Sequence, residues 1–277
     1  MIQPLAPGLY IVATPIGNLG DITARAADTL CRVDRILAED KRVTAKLLAH
    51  LGAKAPMTAY HDHSDDDLRQ RILAEALIKS IALVSDAGTP LISDPGYKLV
   101  RAARAAGIAI HTLPGACAAI AALTLAGLPT DRFLFMGFLS AKAKARSEAI
   151  AEVAALRASL VLYESGPRLH DSLAALGEGL GDRPAAVIRE ISKLHEECVT
   201  GSLTELSARY ADAPPRGEIV IVIAPPPERS EASDGDLDTA LTEALSRVSP
   251  SRAAAEVAAA LGIAKKRAYA RALELAQ

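Results

Sequence analysis

The feature that most constrains this chain is the stretch Ile81 to Gly96, IALVSDAGTPLISDPG. Four apolar residues, Ile81 to Val84, predict a buried strand. The chain then breaks into Ser85-Asp86-Ala87-Gly88-Thr89-Pro90 and, after Leu91-Ile92, into Ser93-Asp94-Pro95-Gly96, before a helical run over Tyr97 to Ala106. A strand-to-helix connection ordinarily takes roughly 2–6 residues; this one takes about ten. A long loop at the carboxyl end of a parallel strand is where open α/β sheets hold ligands. Gly88 lets the backbone approach a ligand, and Pro90 and Pro95 stiffen the loop. The same residues also make an ordinary turn, so the rest of the chain has to decide between the two.

The pattern recurs upstream and downstream. Leu9 to Thr14 predicts a first buried strand, ending in Pro15-Ile16-Gly17-Asn18-Leu19-Gly20-Asp21, with Asp21 as the N-cap of a helix over Ile22 to Leu30. The spacing is not the GxGxxG of a dinucleotide turn. Val33 to Glu39 and Met57 to Tyr60 predict further strands, and Ile108 to Leu113 another, leading through Pro114-Gly115-Ala116-Cys117 into an Ala-rich helix that ends near Gly127. After Tyr60, His61-Asp62-His63-Ser64-Asp65-Asp66-Asp67 offers metal ligands on paper. The more economical account is that Ser64 caps a helix whose first turn is acidic, where the helix dipole favours acids. Five strands alternating with helices predict an α/β domain with a largely parallel sheet over residues 1–128.

A second α/β domain is predicted over 129–225, with more antiparallel pairing: strands at Phe133 to Phe138, Leu160 to Tyr163, Ala185 to Glu190, Cys198 to Gly201 and Glu218 to Ala224. Ser202 caps a helix to Tyr210. Lys142, Lys144 and Arg146 form a basic loop or helix start, which suits either solvent or phosphate. Residues 226–238 have the Pro, Ser, Gly and acid content of a linker, and 239–277 is helical, a small hairpin with a basic second helix. From Arg247 to Arg271 there are six Lys or Arg and one acid. That local balance of +5 matters because the chain as a whole carries −2, which makes no global case for a nucleic-acid partner. Arg252, Lys265, Lys266, Arg267 and Arg271 are the candidates for backbone contact with nucleic acid. A packing or solubilising role for the same helices is the competing account.

Three scattered cysteines, Cys31, Cys117 and Cys198, fit a reducing, cytoplasmic compartment and no disulfide framework. No charged-then-apolar opening predicts a signal peptide, no run of about 18 apolar residues predicts a membrane span, and no paired His/Cys spacing predicts zinc.

Taken together, LYIVATPIGNLGDIT, ILAEDKR, YHDHS, LVSDAGTPLISDPG, LPGACAA, FLFMGFL, LYES, REISKLHEE and GEIVIVI resemble the tetrapyrrole methylase superfamily, the class III S-adenosylmethionine-dependent methyltransferases. They resemble in particular the branch that methylates the ribose 2′-oxygen of a cytidine in the decoding region of 16S ribosomal RNA. The tail AAAEVAAALGIAKKRAYARAL is similar to that branch too. Two positions depart from the pattern. Gly166-Pro167-Arg168 stands where the family carries Pro-His-Arg, and Cys117 stands where it carries Ser.

The resemblance implies a cofactor, S-adenosylmethionine, in a cleft between two α/β domains, a 16S RNA substrate within the small ribosomal subunit, a homodimer and no membrane. It implies cofactor contacts from Pro15, Asp86, Ala87, Gly88, Pro90, Pro114, Gly115, Ala116 and Cys117, and from Met136, Tyr163, Gly217, Glu218 and Ile219. Adenosylmethionine has no phosphate, which agrees with the lack of a Walker lysine. A ribose hydroxyl is a weak nucleophile, so a base or a charge near the developing alkoxide helps. Glu190, Lys193, His195 and Glu196, one loop after a strand, are candidates, with Glu164. Two other functions remain open at this point: methylation of a tetrapyrrole or other small molecule, and a DNA-binding regulator with a sensing domain.

Overall fold

A computed structural model describes residues 4–61, 64–227 and 234–276. Asp62 and His63 of the His/Asp stretch, and residues 228–233 of the predicted linker, lie outside the described residues. The chain divides into two compact units, Met1–Pro226 and Pro227–Gln277.

The first half of the larger unit alternates strand and helix: β1 (Gly8–Val12), α1 (Ala24–Arg32), β2 (Arg35–Ala38), α2 (Lys41–Leu51), β3 (Met57–Ala59), α3 (Asp66–Ala76), β4 (Ser80–Val84), α4 (Tyr97–Ala105), β5 (Ile110–Leu113) and α5 (Ala118–Ala126). The five strands form one sheet in the order β3-β2-β4-β1-β5, and every pairing is parallel. Both faces are covered, which is why the central strands are continuous apolar runs rather than alternating ones. Leu9, Ile11, Leu37, Ile81 and Leu83 pack on one side with Ile72, Leu73 and Leu99. Tyr10, Val12, Ile36, Ala82 and Val84 pack on the other with Ala26, Leu30 and Leu48.

The second half contains β6 (Phe133–Phe138), α6 (Ala143–Val153), β7 (Ser159–Ser165), α7 (Gly166–Leu180), β8 (Pro184–Arg189), β9 (Glu197–Ser202), α8 (Leu203–Arg209) and β10 (Glu218–Ile223). Its sheet runs β6-β7-β10-β8-β9, with β6 and β7 parallel and the remaining pairs antiparallel. One face packs under α6, α7 and α8, through Leu160, Leu162, Ile219 and Ile221 against Ile150, Leu173 and Leu206. The opposite face takes α5 from the first half: Ala119, Ala122 and Leu123 meet Val161, Ala186, Ile188 and Val220. The small side chains of α5 let its backbone lie close to this sheet. Helix α5 thereby packs one lobe against the other.

Several local expectations are corrected. Asp21 does not cap α1; it closes a 3-10 turn over Leu19–Asp21, and the Thr23 hydroxyl accepts from Ala26 N at 3.2 Å as the true cap. Asp65, not Ser64, caps α3 by accepting from Leu68 N at 2.7 Å, while Ser64 Oγ accepts from His61 N. The acids of the first turn, Asp66 and Asp67, follow as the helix dipole favours. Helix α7 runs as far as Leu180, which still reaches the core under the second sheet.

The smaller unit has three helices rather than a hairpin: α9 (Asp234–Leu245), α10 (Pro250–Leu261) and α11 (Lys265–Leu275). The first of these starts inside the stretch assigned to the linker. Asp234 and Asp236 supply its acidic first turn, and Leu237 and Leu241 reach a core shared with Ala253, Ala254, Val257, Ala268 and Ala272. Linker composition and an acidic helix start look alike in sequence.

Candidate active-site cleft

The carboxyl ends of β1, β4 and β5 deliver three loops to one place. Thr14 and Gly88 exchange backbone hydrogen bonds, Thr14 N to Gly88 O at 2.8 Å and Gly88 N to Thr14 O at 3.0 Å. Thr89 Oγ1 donates to Ala116 O at 2.9 Å. Gly88 has φ +80°, and a Cβ there would lie 3.2 Å from the Ile16 side chain. A side chain at this position would be strained and would also crowd the cleft wall.

The loops face the second lobe across a cleft of about 820 Å³, part of it open to solvent. Ile16, Ala87, Gly88, Thr89, Ile92, Ser93, Asp94, Cys117 and Ala118 line it from the first lobe, and Phe138, Tyr163, Ile191, Glu218, Ile219 and Val220 from the second. A mostly apolar cleft with a few polar groups suits a small organic ligand. The Tyr163 hydroxyl accepts from Ala119 N at 3.3 Å, at the start of α5, and its ring meets Phe135 and Phe138 edge-on. Burial, with Cys117 beside it, pushes Tyr163 up to about 12, so the phenol stays neutral. Opposite, burial raises Asp94 to about 6, reinforced by Glu39 and Asp86 against a hydrogen bond from Ser85.

Of the residues the sequence proposed for the cofactor, Ala87, Gly88, Cys117, Tyr163, Glu218 and Ile219 line this cleft. Pro15, Pro90, Pro114, Gly115 and Ala116 belong to the loops that form its wall without being among the lining residues. Asp86 turns to the end of β2, where its carboxylate accepts from Asp40 N at 2.9 Å. The Met136 side chain packs with the core under α6 and α7, on the face away from the cleft. Gly217, φ +97°, sits directly under Glu190, with no room for a Cβ.

The proposed catalytic groups separate. Glu164 is 3% exposed and follows Tyr163 on β7, so pleating turns it to the opposite face. There its carboxylate accepts from Ser172 Oγ at 2.6 Å and from Ser165 N at 2.8 Å, with Arg168 Nε at 3.5 Å. It is a structural anchor for α7, which corrects the catalytic assignment. Lys193 Nζ donates to Glu190 Oε1 at 2.9 Å and Glu218 Oε2 at 3.0 Å. Burial alone would lower the Lys193 pKa, yet these two hydrogen bonds outweigh it and hold the ammonium above its ordinary value. The Glu190 carboxyl is lowered chiefly by its hydrogen bond from Lys193. Lys193 is therefore a fully charged clamp between β10 and the loop after β8.

Glu190 and Ser192 both adopt left-handed backbone, φ +51° and +67°. Glu196 accepts from Ser192 N at 2.7 Å, and the Ser192 hydroxyl binds Asp21 of the other lobe. His195 and Glu196 are exposed at the loop tip. Sequence reasoning passed over Asp94, Thr89, Ser93, Phe138 and Ile191. The first three lie in the long loop that drew attention, but nothing in the sequence says which of its side chains turn inward.

The basic candidates differ in how far they are committed to partners. Lys142 and Lys144 are exposed at the start of α6, just beyond β6 and its cleft residue Phe138; Arg146 is half-buried. In the smaller unit, Arg271 makes a bidentate pair with Asp238, both distances 2.6 Å, and also meets Glu274. Arg267 pairs with Asp234 and Arg252 with Glu256. Lys265 and Lys266 are exposed.

Known proteins are similar to this chain in sequence and in fold. Residues 8–207 match the model of the Tetrapyrrole (Corrin/Porphyrin) Methylases, and residues 231–276 match that of the RsmI C-terminal HTH domain. The Ribosomal RNA small subunit methyltransferase I of Erythrobacter litoralis is 57% identical over 99% of this chain and 97% of its own length. The protein of that name from Escherichia coli O157:H7 is 46% identical over 96% and 94%. Among solved structures, a diphthine synthase superposes with TM-score 0.61 over 78% of this chain and 89% of its own, at 18% identity. Cobalt precorrin-4 methyltransferase gives 0.59 over 78% and 94%, at 17% identity. These structural likenesses concern the fold.

Proposed function

This chain belongs to the tetrapyrrole methylase family, and from that premise we propose that it methylates the 2′-oxygen of a cytidine ribose in the decoding region of 16S ribosomal RNA. It is an S-adenosylmethionine-dependent methyltransferase of small-subunit ribosomal RNA, a reading carried by likeness over nearly the whole chain to proteins of that name. The cytidine and the 2′-oxygen rest on the motif resemblance. The substrate is ribosomal, which puts the protein in the cytoplasm, and we take the active species to be a homodimer bound to the small subunit.

The cleft fits the cofactor. Ile16, Ile92 and Phe138 give apolar surface for a purine and thioether, while the Thr89 hydroxyl, the neutral Tyr163 phenol and backbone groups around Gly88 and Ala118 give polar contacts. When bound, adenosylmethionine supplies an activated methyl on a sulfonium. The chain's own part is to hold the acceptor hydroxyl in line and close, about 3–3.5 Å from the reacting carbon. The tied loops at Thr14, Gly88 and Ala116 give that site a rigid floor. Lys193, held by Glu190 and Glu218, orders the rim that faces the substrate. Lys142, Lys144, Lys265 and Lys266 present exposed charge for RNA phosphates. Arg252, Arg267 and Arg271 contribute first to the fold of the smaller unit.

The test is methyl transfer from labelled adenosylmethionine to naked 16S RNA, to small subunits lacking the modification, and to a uroporphyrinogen-type tetrapyrrole. Label recovered as 2′-O-methylcytidine from the subunits is the expected result. Label in the tetrapyrrole alone would overturn the RNA reading while keeping the cofactor.

A further inference from the structure

Two carboxylates line the cleft, Asp94 and Glu218. Glu218 is exposed and paired with Lys193 at 3.0 Å. Asp94 stands on the opposite wall and half-buried, in contact with Ser85. The groups that face it are Glu39 from the end of β2, Asp86 and Ser85 from the end of β4, and Tyr163 from β7, with Cys117 beside that tyrosine. The charged ones among them are acids, so Asp94 is not neutralised as Glu190 and Glu218 are.

Backbone geometry brings Asp94 there. Leu91 and Ser93, the residue before it, both adopt left-handed conformations, φ +74° and +63°. Such conformations are strained for residues other than glycine and persist only where the surroundings impose them. The Ser93 hydroxyl lies against Gly137 of the second lobe, where a Cβ would come within 3.2 Å of it. Pro95 and Gly96 follow, and a Cβ at Gly96 would lie 2.6 Å from Leu83. The loop is thus wedged between β4 and β6 with Asp94 at its inner bend.

We propose that Asp94 is the general base of the reaction, accepting the proton of the attacking ribose hydroxyl. The inference rests on the hydroxyl acceptor proposed above. The hydroxyl oxygen gains the methyl group as its O–H bond breaks. The proton passes to the Asp94 carboxylate and then to solvent, and the sulfonium sulfur keeps the electron pair of the broken S–C bond as a neutral thioether. The other candidate acids and bases are committed elsewhere or, like His195, exposed at a loop tip and not among the residues that line the cleft. Glu164 faces the α7 core, Glu190 and Lys193 neutralise each other, and Glu196 holds its own loop. A base works best with a pKa close to the operating pH, and the raised Asp94 is closer to it than an ordinary aspartate.

The deciding experiment compares wild type with Asp94→Asn, which keeps size and shape. Adenosylmethionine affinity is measured by calorimetry, subunit binding by filter retention, and single-turnover methyl transfer from pH 5 to 9. The expected result is cofactor and subunit affinity within about twofold of wild type, with the rate reduced by about 100-fold or more. The wild-type rate should rise through a midpoint near pH 6, and that limb should be missing from the variant. An unchanged rate in Asp94→Asn overturns the inference. So does a rate loss fully explained by weaker adenosylmethionine binding with adenosylhomocysteine binding unchanged, which would make Asp94 a counter-ion to the sulfonium. Wild-type protein that puts no methyl on a ribose oxygen overturns the proposed function itself, and the inference with it.

Discussion

Replacing Glu164 with alanine separates a structural acid from a catalytic one. Its carboxylate is buried and accepts from the Ser172 hydroxyl at 2.6 Å and from Ser165 N at 2.8 Å. Hydrogen bonds to a charged group contribute about 1.5–3 kcal/mol each, so two of them set a gross loss of about 3–6 kcal/mol. Alanine also relieves the cost of keeping a carboxylate out of water, which offsets part of that loss. Ser172 is fully buried and is left without this acceptor, and Arg168 keeps Leu139 O at 2.6 Å. The net destabilisation should be about 2–4 kcal/mol, a large share of a typical stability of about 5–15 kcal/mol. In urea this lowers the midpoint by about 1 M. At low temperature, where the variant remains folded, adenosylmethionine affinity and methyl transfer should stay near wild type. A variant that melts like wild type but loses transfer would refute the structural assignment, as would Ser172→Ala leaving stability unchanged.

Asp94→Asn should stabilise the protein as pH rises. The folded-state pKa of Asp94 is raised, to about 6, so the protonated form favours the fold and that stability is lost as pH passes from the ordinary carboxylate range through about 6. The full shift corresponds to about 3 kcal/mol. Partial exposure reduces this to about 1–2 kcal/mol above pH 6, and to nothing near pH 3, as read by urea unfolding across pH. Gly217→Ala should displace Glu190 and break its contact with Lys193, because a Cβ at φ +97° collides with the Glu190 carboxylate; cofactor affinity should fall by about tenfold or more while far-ultraviolet dichroism is kept. Arg271→Ala should loosen the three-helix unit, seen as faster amide exchange in α9 and α11, since it removes the bidentate pair with Asp238. Lys265→Ala with Lys266→Ala should leave exchange unchanged and weaken RNA binding, with a salt slope smaller by about 1 for each phosphate no longer neutralised.

Sequence by itself determined the element types and the place of the cleft. Apolar runs such as Ile81 to Val84 are long enough to bury both faces of a strand, and that requirement is local. The long Asp, Gly and Pro loops after them mark the carboxyl ends of a parallel sheet, where a ligand of such a fold sits. The composition change after Pro225 separated the helical tail. What stayed illegible were caps and directions. Asp21 and Thr23, or Ser64 and Asp65, are chemically equal candidates until the path of the backbone chooses one.

Which acids and bases turn toward the cleft depended on the tertiary fold. Tyr163 and Glu164 are adjacent in the chain, yet the pleat of β7 sends one to the cleft and the other to the α7 core. Lys193 became a clamp only because β10 brings Glu218 to it from 25 residues away. Asp94 gained its place from left-handed Leu91 and Ser93 and from Gly137 of the other lobe, contacts that no pattern in the loop encodes. Periodicity records how each element meets water and core; the charge state and direction of a side chain depend on which distant elements fold against it.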